Sequence, residues 1–473
     1  MSISPIAMLE RRLFVFSVSG LLACLAIICV VGFAAFAGKT TVEHSFSAQQ
    51  AFTTEYETSL AEWEQSLQKI EQTGAAESPY DARPMNLRIP AVLPTAPLGD
   101  FAIGNAQLFP TATTISGWAS SANLFAEYEF DNPTPLSLGS FDLTFVVVVL
   151  MPLLMIAVSF DILTGDRERG RARLIAMQAG HVAPSVWRRL TLRNGLLWGV
   201  FTVVATIAAL FVPSGIEAGD RLAHFAAWLG IALAYGLFWF AAVGLASALL
   251  KRGETVASAL FAAWTIFVFA IPAVGGAIAE ASYPPPSRLA YLSEMREGEV
   301  IAVRETADLT AGFLADHPDM TVSDEGVPGY FSNSFLANEQ ARIRTTPVLE
   351  AFNKSREQRS ALVSGLQYFS PAMIADRAMT FVAGGDVDRN LAFQQQARSA
   401  LHDLAEQIGP AVVARQRITL SEYEAIPAFE FSERTLTSTM ATLTAPLGFL
   451  LLLSLAVLFA ARRSMAAPLE RLL

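Results

Sequence analysis

The sequence predicts a mainly α-helical, polytopic membrane protein with six transmembrane helices and a large, mostly helical periplasmic region. Only 16% of its residues are charged and 53% are hydrophobic, whereas about a quarter of an average soluble chain is charged. The apolar residues are gathered in six runs that reach the ~20 residues a helix needs to cross the hydrocarbon core. Lysine and arginine recur in every second connection between these runs. Together these observations predict the number of spans and their direction.

The six apolar runs have no charged residue at their centres, which is typical of membrane-spanning helices. The runs are 13–37, 143–163, 195–212, 222–250, 255–279 and 439–461, so the third, fourth and fifth fill the block 195–279. Cleavage of the first run as a signal peptide, after the small residues near its end, is the alternative. It would leave five spans and change nothing else.

The direction of the spans follows from the basic residues, because short connections rich in lysine and arginine stay on the cytoplasmic side. These basic connections are the N-terminus 1–12, the loop 164–194, the turn 251–252 and the tail 462–473. We therefore expect a multi-pass protein of the bacterial inner (cytoplasmic) membrane with both termini in the cytoplasm. The long segments 38–142 and 280–438 then lie in the periplasm.

The formal net charge of −10 arises because acidic residues outnumber basic ones in the two long segments, while the opposite side of the membrane is basic. Basic side chains at a membrane surface attract anionic headgroups, so membrane lipids are expected partners. Nucleic acid is bound chiefly through basic side chains that neutralise its phosphates. The acidic segments therefore predict no nucleic-acid partner.

The first long segment begins with a helix that continues out of the first span. Apolar side chains recur there at spacings of four and three residues, which places them on one face of a helix. These residues are Phe52, Tyr56, Leu60, Trp63, Leu67 and Ile70. We expect a helical stalk that ends near Gln72 and packs along this stripe, followed by irregular chain from Gly74 to Pro97.

The second long segment leaves the fifth span through Tyr283–Arg288, a proline-rich exit. Its apolar periodicity predicts helices over 289–316, 334–366 and 391–408. We expect the two long segments to form one helical body on the outer face.

Signals for catalysis are weak throughout the chain. Gly38-Lys39-Thr40 resembles the end of a phosphate-binding loop, but Phe33 stands where that loop needs its first glycine. None of the five histidines has a second histidine at metal-ligand spacing. We therefore predict no enzyme activity, no catalytic or metal-binding residues and no cofactor in this chain.

The spans also lack the ionisable residues near the bilayer midplane on which ion-coupled transporters depend. If the protein moves a solute, the energy is therefore expected to come from a partner protein.

The loop after the second span combines opposite charges with a short apolar stretch. Leu174, Ile175 and Met177 follow the charged residues, which predicts a short amphipathic helix at the inner face. Two interpretations are equally supported by the residues alone: a loop that binds lipid headgroups, or a docking element for a soluble motor. For the second, the candidate coupling residues are Asp161, Asp166, Arg167, Glu168, Arg169, Gly170 and Arg173.

The segment Asp166-Arg167-Glu168-Arg169-Gly170 resembles the hallmark of ABC-2-type permeases, an acidic-Arg-Glu-x-Gly turn that leads into a coupling helix. The chain departs from that pattern at Arg171-Ala172, where Thr-Leu is commoner. A wider resemblance, to a subgroup with a large outer domain of unknown function, is carried by short blocks across the chain. These blocks are Leu93–Leu98, Ile103–Pro110, Asn132-Pro133, Phe141–Leu143, Tyr283–Arg288, Phe369–Ala372 and Ala383–Asp386 with Arg389.

The resemblance implies the ABC-2-type permease fold of six helices per subunit. It also implies a second permease copy, either identical or a related paralogue, and an ABC ATPase subunit that binds ATP and Mg²⁺. The loop 161–190 would pass the motion of that ATPase into the second and third spans, and onwards into the stalk.

Three functions fit these expectations. The first is the permease subunit of an ABC exporter driven by a separate ATPase, with an unidentified substrate. The second is a mechanical or scaffold protein, in which the ATPase moves the outer region against a periplasmic partner and no solute crosses. The third is a membrane-anchored enzyme of the outer face, which the missing catalytic groups disfavour.

Overall fold

The computed structural model describes residues 17–74, 81–104, 109–120, 124–125, 141–179, 182–211, 213, 216, 218–284 and 329–466. It also describes single residues or pairs at 293, 296–297, 300–301, 304 and 315. The predicted N-terminus 1–12, most of the predicted helix 289–316, the block Asn132-Pro133 and the end of the tail lie outside the described residues.

Among the described residues, six helices are long and apolar enough to cross a membrane, and they coincide with the six predicted runs. They are α1 (Val18–Thr73), α2 (Leu143–Glu168), α4 (Ala183–Leu210), α5 (Ala218–Leu249), α6 (Gly253–Ser282) and α11 (Leu436–Met465). The prediction of a mainly helical protein with six candidate spans is therefore confirmed.

The other elements connect these helices. They are α3 (Arg171–Ala179), α7 (Tyr330–Leu366), α8 (Pro371–Ala383), α9 (Val387–Val413), α10 (Leu420–Glu424), the strands β1 (Arg88–Val92) and β2 (Ala112–Ser116), and 3₁₀ turns at Pro84–Asn86 and Gln367–Phe369. The strands pair antiparallel, with Arg88 opposite Ser116 and Val92 opposite Ala112. β1 and the first 3₁₀ turn lie in a stretch that was predicted to be irregular, and that prediction was wrong.

The bundle of the six long helices is built around α2. Leu143, Val147 and Met151 on this helix are fully buried among the neighbouring helices. Within the described part of the chain, two helices are interrupted by π-helical segments that each precede a proline: Val146–Leu150 in α2 and Ile266–Ala270 in α6. Such segments are local insertions in a helix and are frequent at functional sites.

The bundle has two ends, which we name by what they carry. The loop end carries the turn after α2 and helix α3. The domain end carries a second apolar core, the head domain, formed by the far half of α1, residues 81–93, 109–120 and 124–125, the first half of α7, and residues 387–431. Met85, Leu87 and Phe393 are fully buried at the centre of the head domain. Both long segments thus contribute to one body, as predicted.

Helices α7 and α8 form a hairpin that reaches back into the bundle from the domain end. At its tip, the Tyr368 ring packs 5.2 Å from the Phe449 ring of α11. Ser370 Oγ donates a 2.5 Å hydrogen bond to the carbonyl of Phe267 in α6. Both phenylalanines lie near the middle of their helices, and α8 then returns between α5 and α11. No helix was predicted at 371–383, and this stretch was expected to lie wholly in the outer segment.

Candidate functional site

The turn between α2 and α3 is built around one glycine. The last helical turn of α2, Thr164–Glu168, is followed by Gly170 with φ +71°. This left-handed conformation favours glycine and ends the helix there. The chain then changes direction and starts α3 at Arg171.

Asp166 anchors this turn to the bundle. Its carboxylate is buried, with 2% of the residue exposed, and it is bound by the guanidinium of Arg189 in α4. Arg171, the first residue of α3, lies 2.9 Å from its other oxygen. Because a buried carboxylate is stable only when its oxygens are paired, Asp166 holds the start of α3 against α4.

Arg167 and Glu168 bind the neighbouring turn between α5 and α6. Arg167 Nη1 donates to the carbonyls of Leu250, at 2.8 Å, and Ser247, at 3.2 Å, at the end of α5. The backbone N–H of Gly253 donates to Glu168 Oε1 at 3.2 Å, at the start of α6. Both contacts complement the helix dipoles, which favour cations at a C-terminus and anions at an N-terminus.

The remaining predicted coupling residues surround this core. Asp161 lies 3.5 Å from Arg193 of α4, which also donates a 2.6 Å hydrogen bond to the carbonyl of Val158. Arg169 and Arg173 are exposed. The structure therefore brings Asp166, Arg167 and Glu168 together at the junction of α2, α4, α5 and α6.

Helix α3 has one buried face and one exposed apolar face. Ala172 and Ala176 are buried, and Ala176 packs in the core of the bundle. Leu174 and Met177 point away, with 54% and 74% of their surfaces exposed. The anchoring by Asp166 thus presents two large apolar side chains on a fixed helix.

The stalk stripe lies along the head domain. Leu67 is buried beside Ala82 and Ile418, and the rings of Trp63 and Tyr423 lie 5.1 Å apart. Thr114 of β2 is hydrogen-bonded to the hydroxyl of Tyr56. The other members of the stripe are half-buried: Phe52, Leu60 and Ile70.

Residues 94–104, which we call the connector, join the head domain to the bundle. Arg221, near the start of α5, donates to both carboxylate oxygens of Asp100 at 2.7 Å and to the carbonyl of Pro97 at 2.9 Å. From the other side, Arg389 of α9 donates to the carbonyl of Pro94 at 2.8 Å. Two arginines from different parts of the fold therefore bind one short segment.

Close backbone contacts fix the connector further. The N–H of Leu98 donates to the carbonyl of Ala383 at the end of α8, at 3.2 Å. A Cβ atom on Gly385 would lie 2.1 Å from the carbonyl oxygen of Ala102, and one on Gly38 of α1 would lie 1.9 Å from that of Asp100. Glycine is thus required at both positions, and Gly38 has a packing role where the sequence suggested a remnant of a phosphate loop.

Sequence reasoning missed the connector as a site. Several of the blocks that carry the family resemblance meet there, among them Leu93–Leu98, Phe141–Leu143 and Ala383–Asp386. Asp142 illustrates the convergence, since its carboxylate accepts from the N–H of Ile103 at 3.0 Å and caps α2 through the N–H of Phe145 at 2.8 Å. The order of blocks along the chain gives no signal for such contacts.

A charged cluster borders the connector in the head domain. Arg389 is paired with Glu433 at 2.5 Å, and Arg434 with Asp386 at 2.6 Å. Burial raises the pKa of Asp386, while Arg434 and the N–H of Arg389 lower it. The cluster links the start of α9 to the chain that returns to α11.

Among the residues that the structure describes, no set of three or more His, Cys, Asp or Glu side chains is arranged to hold a metal ion.

The model of a domain of unknown function (DUF3526) matches residues 288–432, which include α7, α8, α9 and α10. No curated protein matches the chain.

Proposed function

We propose that this chain is the permease subunit of an ABC exporter of the ABC-2 type, driven by a separate ATPase. One observation carries the proposal: α3 presents Leu174 and Met177 to the surroundings from a helix that Asp166 anchors to the bundle. Rigidly held apolar side chains on an exposed helix are suited to a partner protein's groove.

The turn beside α3 supports a coupling role. Arg167 and Glu168 join it to the ends of α5 and α6, so a displacement of α3 would reach four helices directly. The loop end is the basic end of the bundle and, in this proposal, faces the cytoplasm of a bacterial cell. ATP and Mg²⁺ would bind to the partner ATPase there, and the head domain would lie in the periplasm.

A second permease copy completes the proposed assembly. Among the six described helices of the bundle, α6 and α11 have the least buried apolar windows. Their exposed faces carry large apolar side chains together with small residues and threonines, and small residues favour close helix packing within membranes. The small residues and threonines are Ala273, Gly276 and Ala277 on α6, and Ala441, Thr442, Thr444 and Ala445 on α11.

The proposal is tested by replacing Leu174 and Met177 with aspartate together. We expect the double variant to lose the ABC ATPase that co-purifies with the wild-type protein in mild detergent, and to lose the ATP hydrolysis of the purified complex. Gln178→Asp adds a charge at another exposed position of α3 and is the matched control. A wild-type protein that binds no ATPase in any mild detergent contradicts the proposal.

The alternative is a mechanical protein that transports nothing. It is favoured by α1, because one uninterrupted helix of 56 residues runs from the bundle into the head domain. Reconstituted vesicles separate the two functions. Hydrolysis of ATP without movement of any amphipathic test compound, together with binding of a periplasmic protein to the head domain, supports the mechanical function.

A further inference from the structure

We propose that α5 transmits the movement of the turn Asp166–Gly170 to the head domain, with Arg167 and Arg221 as the positioning residues at its two ends. The inference rests on the proposed function, since the movement is attributed to a partner ATPase. It names a route through the fold that the coupling motif alone does not specify.

At the loop end, the turn is bonded directly to α5. Arg167 Nη1 donates to the carbonyls of Ser247 and Leu250, which close the last turn of the helix. These carbonyls have no partner within the helix, so the guanidinium satisfies them and fixes the helix end to the turn. Movement of Arg167 would therefore move the end of α5 with it.

Along its length, α5 is suited to move as one body. It has neither a proline nor a π-helical segment over its 32 residues, whereas α2 and α6 contain both. Kinks in helices arise chiefly at such features. Two tryptophans of α4 also pack directly on glycines of α5. A Cβ atom on Gly236 would lie 2.4 Å from the Trp198 ring, and one on Gly244 would lie 2.7 Å from the Trp187 ring. α4 and α5 are therefore closely packed together.

At the domain end, α5 is bonded to the connector. Arg221 is 0% exposed and binds both oxygens of Asp100 and the carbonyl of Pro97. Its Nε also donates to the carbonyl of Ala209, the penultimate residue of α4, at 2.9 Å. A buried bidentate pair has a narrow geometry, so the connector must follow this end of α5.

The connector passes the movement to the head domain through α8 and α9. Leu98 is hydrogen-bonded to Ala383, and Arg389 binds Pro94. The chain of contacts therefore runs from Arg167 through α5 to Arg221, then through Asp100 and Pro94 to Arg389.

The route is tested by hydrogen–deuterium exchange on the full chain in lipid nanodiscs, without an ATPase. We expect Arg167→Gln to accelerate exchange of the connector amides by about 5-fold or more, the lower range of energetic coupling between separate sites. Lys251→Gln, which removes an exposed charge from the turn that Arg167 binds, is expected to leave these amides unchanged. Arg221→Gln is the positive control.

The proposal is overturned if the connector amides exchange at the wild-type rate in Arg167→Gln while Arg221→Gln accelerates them. Amides of α9 far from the connector report whether a variant is folded. If Arg167→Gln does not fold, Arg167→Lys takes its place, because its ammonium keeps the charge and can still reach one carbonyl. A smaller acceleration of connector exchange is then expected. An exchange rate equal to that of the wild-type protein overturns the route.

A second measurement uses the complex with the co-purified ATPase and adds ATP with vanadate. We expect the nucleotide to change exchange in both α3 and the connector of the wild-type protein, and in α3 alone for Arg221→Gln. A connector that still responds in Arg221→Gln overturns the route. A wild-type protein without a bound ATPase contradicts the proposed function and leaves the result of the first measurement standing.

Discussion

Arg221 and Asp100, 121 residues apart in the chain, form a buried ion pair in which each guanidinium nitrogen of the fork lies 2.7 Å from one carboxylate oxygen. Nε of Arg221 also donates to the backbone carbonyl of Ala209, and Nη1 donates to that of Pro97. Burial of two charges is stable only when their hydrogen bonds are complete. The pair therefore depends on α4, α5 and the connector being in place together.

Removing one partner of this pair should be costly. Asp100→Ala leaves the guanidinium buried without its carboxylate, and we expect a loss of about 3–5 kcal/mol in the free energy of unfolding. The double variant Asp100→Leu, Arg221→Met removes both charges and should lose less. The melting temperature of the detergent-solubilised protein, followed by tryptophan fluorescence, checks the order, and a double variant no more stable than Asp100→Ala contradicts it.

The contact of α1 with the connector predicts that alanine substitutions at two glycines of this helix have different effects on stability. A methyl group on Gly38 would lie 1.9 Å from the carbonyl oxygen of Asp100, whereas one on Gly32 would meet nothing within 4 Å. Gly38→Ala should therefore lower the melting temperature, since backbone must move. Gly32→Ala should leave it unchanged or raise it slightly, because alanine favours a helix by about 1 kcal/mol over glycine. Equal effects would argue against the close approach.

The stalk stripe predicts where α1 contributes to the head domain. Leu67 is 2% exposed, so Leu67→Ala should cost about 2–5 kcal/mol. Gln65→Ala changes an exposed residue of the same helix and should be neutral. Limited proteolysis of the head domain measures the effect, and resistance to protease in Leu67→Ala equal to that in Gln65→Ala contradicts the prediction.

The hairpin predicts a role for the serine at the start of α8. Ser370 Oγ accepts from the N–H of Met373 as an N-cap and donates to the carbonyl of Phe267. Ser370→Ala loses both bonds, and loss of a cap alone costs about 1 kcal/mol. Ser360→Ala, at an exposed position of α7, is the control. Thermal unfolding of the two variants checks this, and equal melting temperatures would show that the cap does not stabilise the hairpin.

The six long helices could be predicted from the sequence because each needs only a sufficient length of apolar residues. The stalk stripe and α9 were also visible, because their apolar residues recur at helical spacing. Helix α8 was missed for a physical reason. At 13 residues it is too short to cross a membrane, and Asp376 and Arg377 interrupt its apolar character, so it resembles a soluble helix in composition.

The connector could not be predicted, because its contacts join residues that are far apart in sequence. In the sequence, Asp100 is one of many acidic residues of the first long segment, and Arg221 is a charged residue just before the fourth apolar run. In the sequence Gly38 stands beside Lys39 and Thr40, while in the fold its closest contact is the backbone of Asp100. The turn Asp166–Gly170 was identified by its motif, but its bonds to α4, α5 and α6 required the structure.

The length of α1 has a geometric consequence for any motion of the bundle. Its 56 residues form one helix, and the head domain packs on the far half. At 1.5 Å per residue such a lever is about 84 Å long, so a tilt of about 5° at its base displaces its far end by about 7 Å. A tilt too small to alter the packing of the bundle would thus displace the attached domain by more than the ~4.8 Å spacing between neighbouring β-strands.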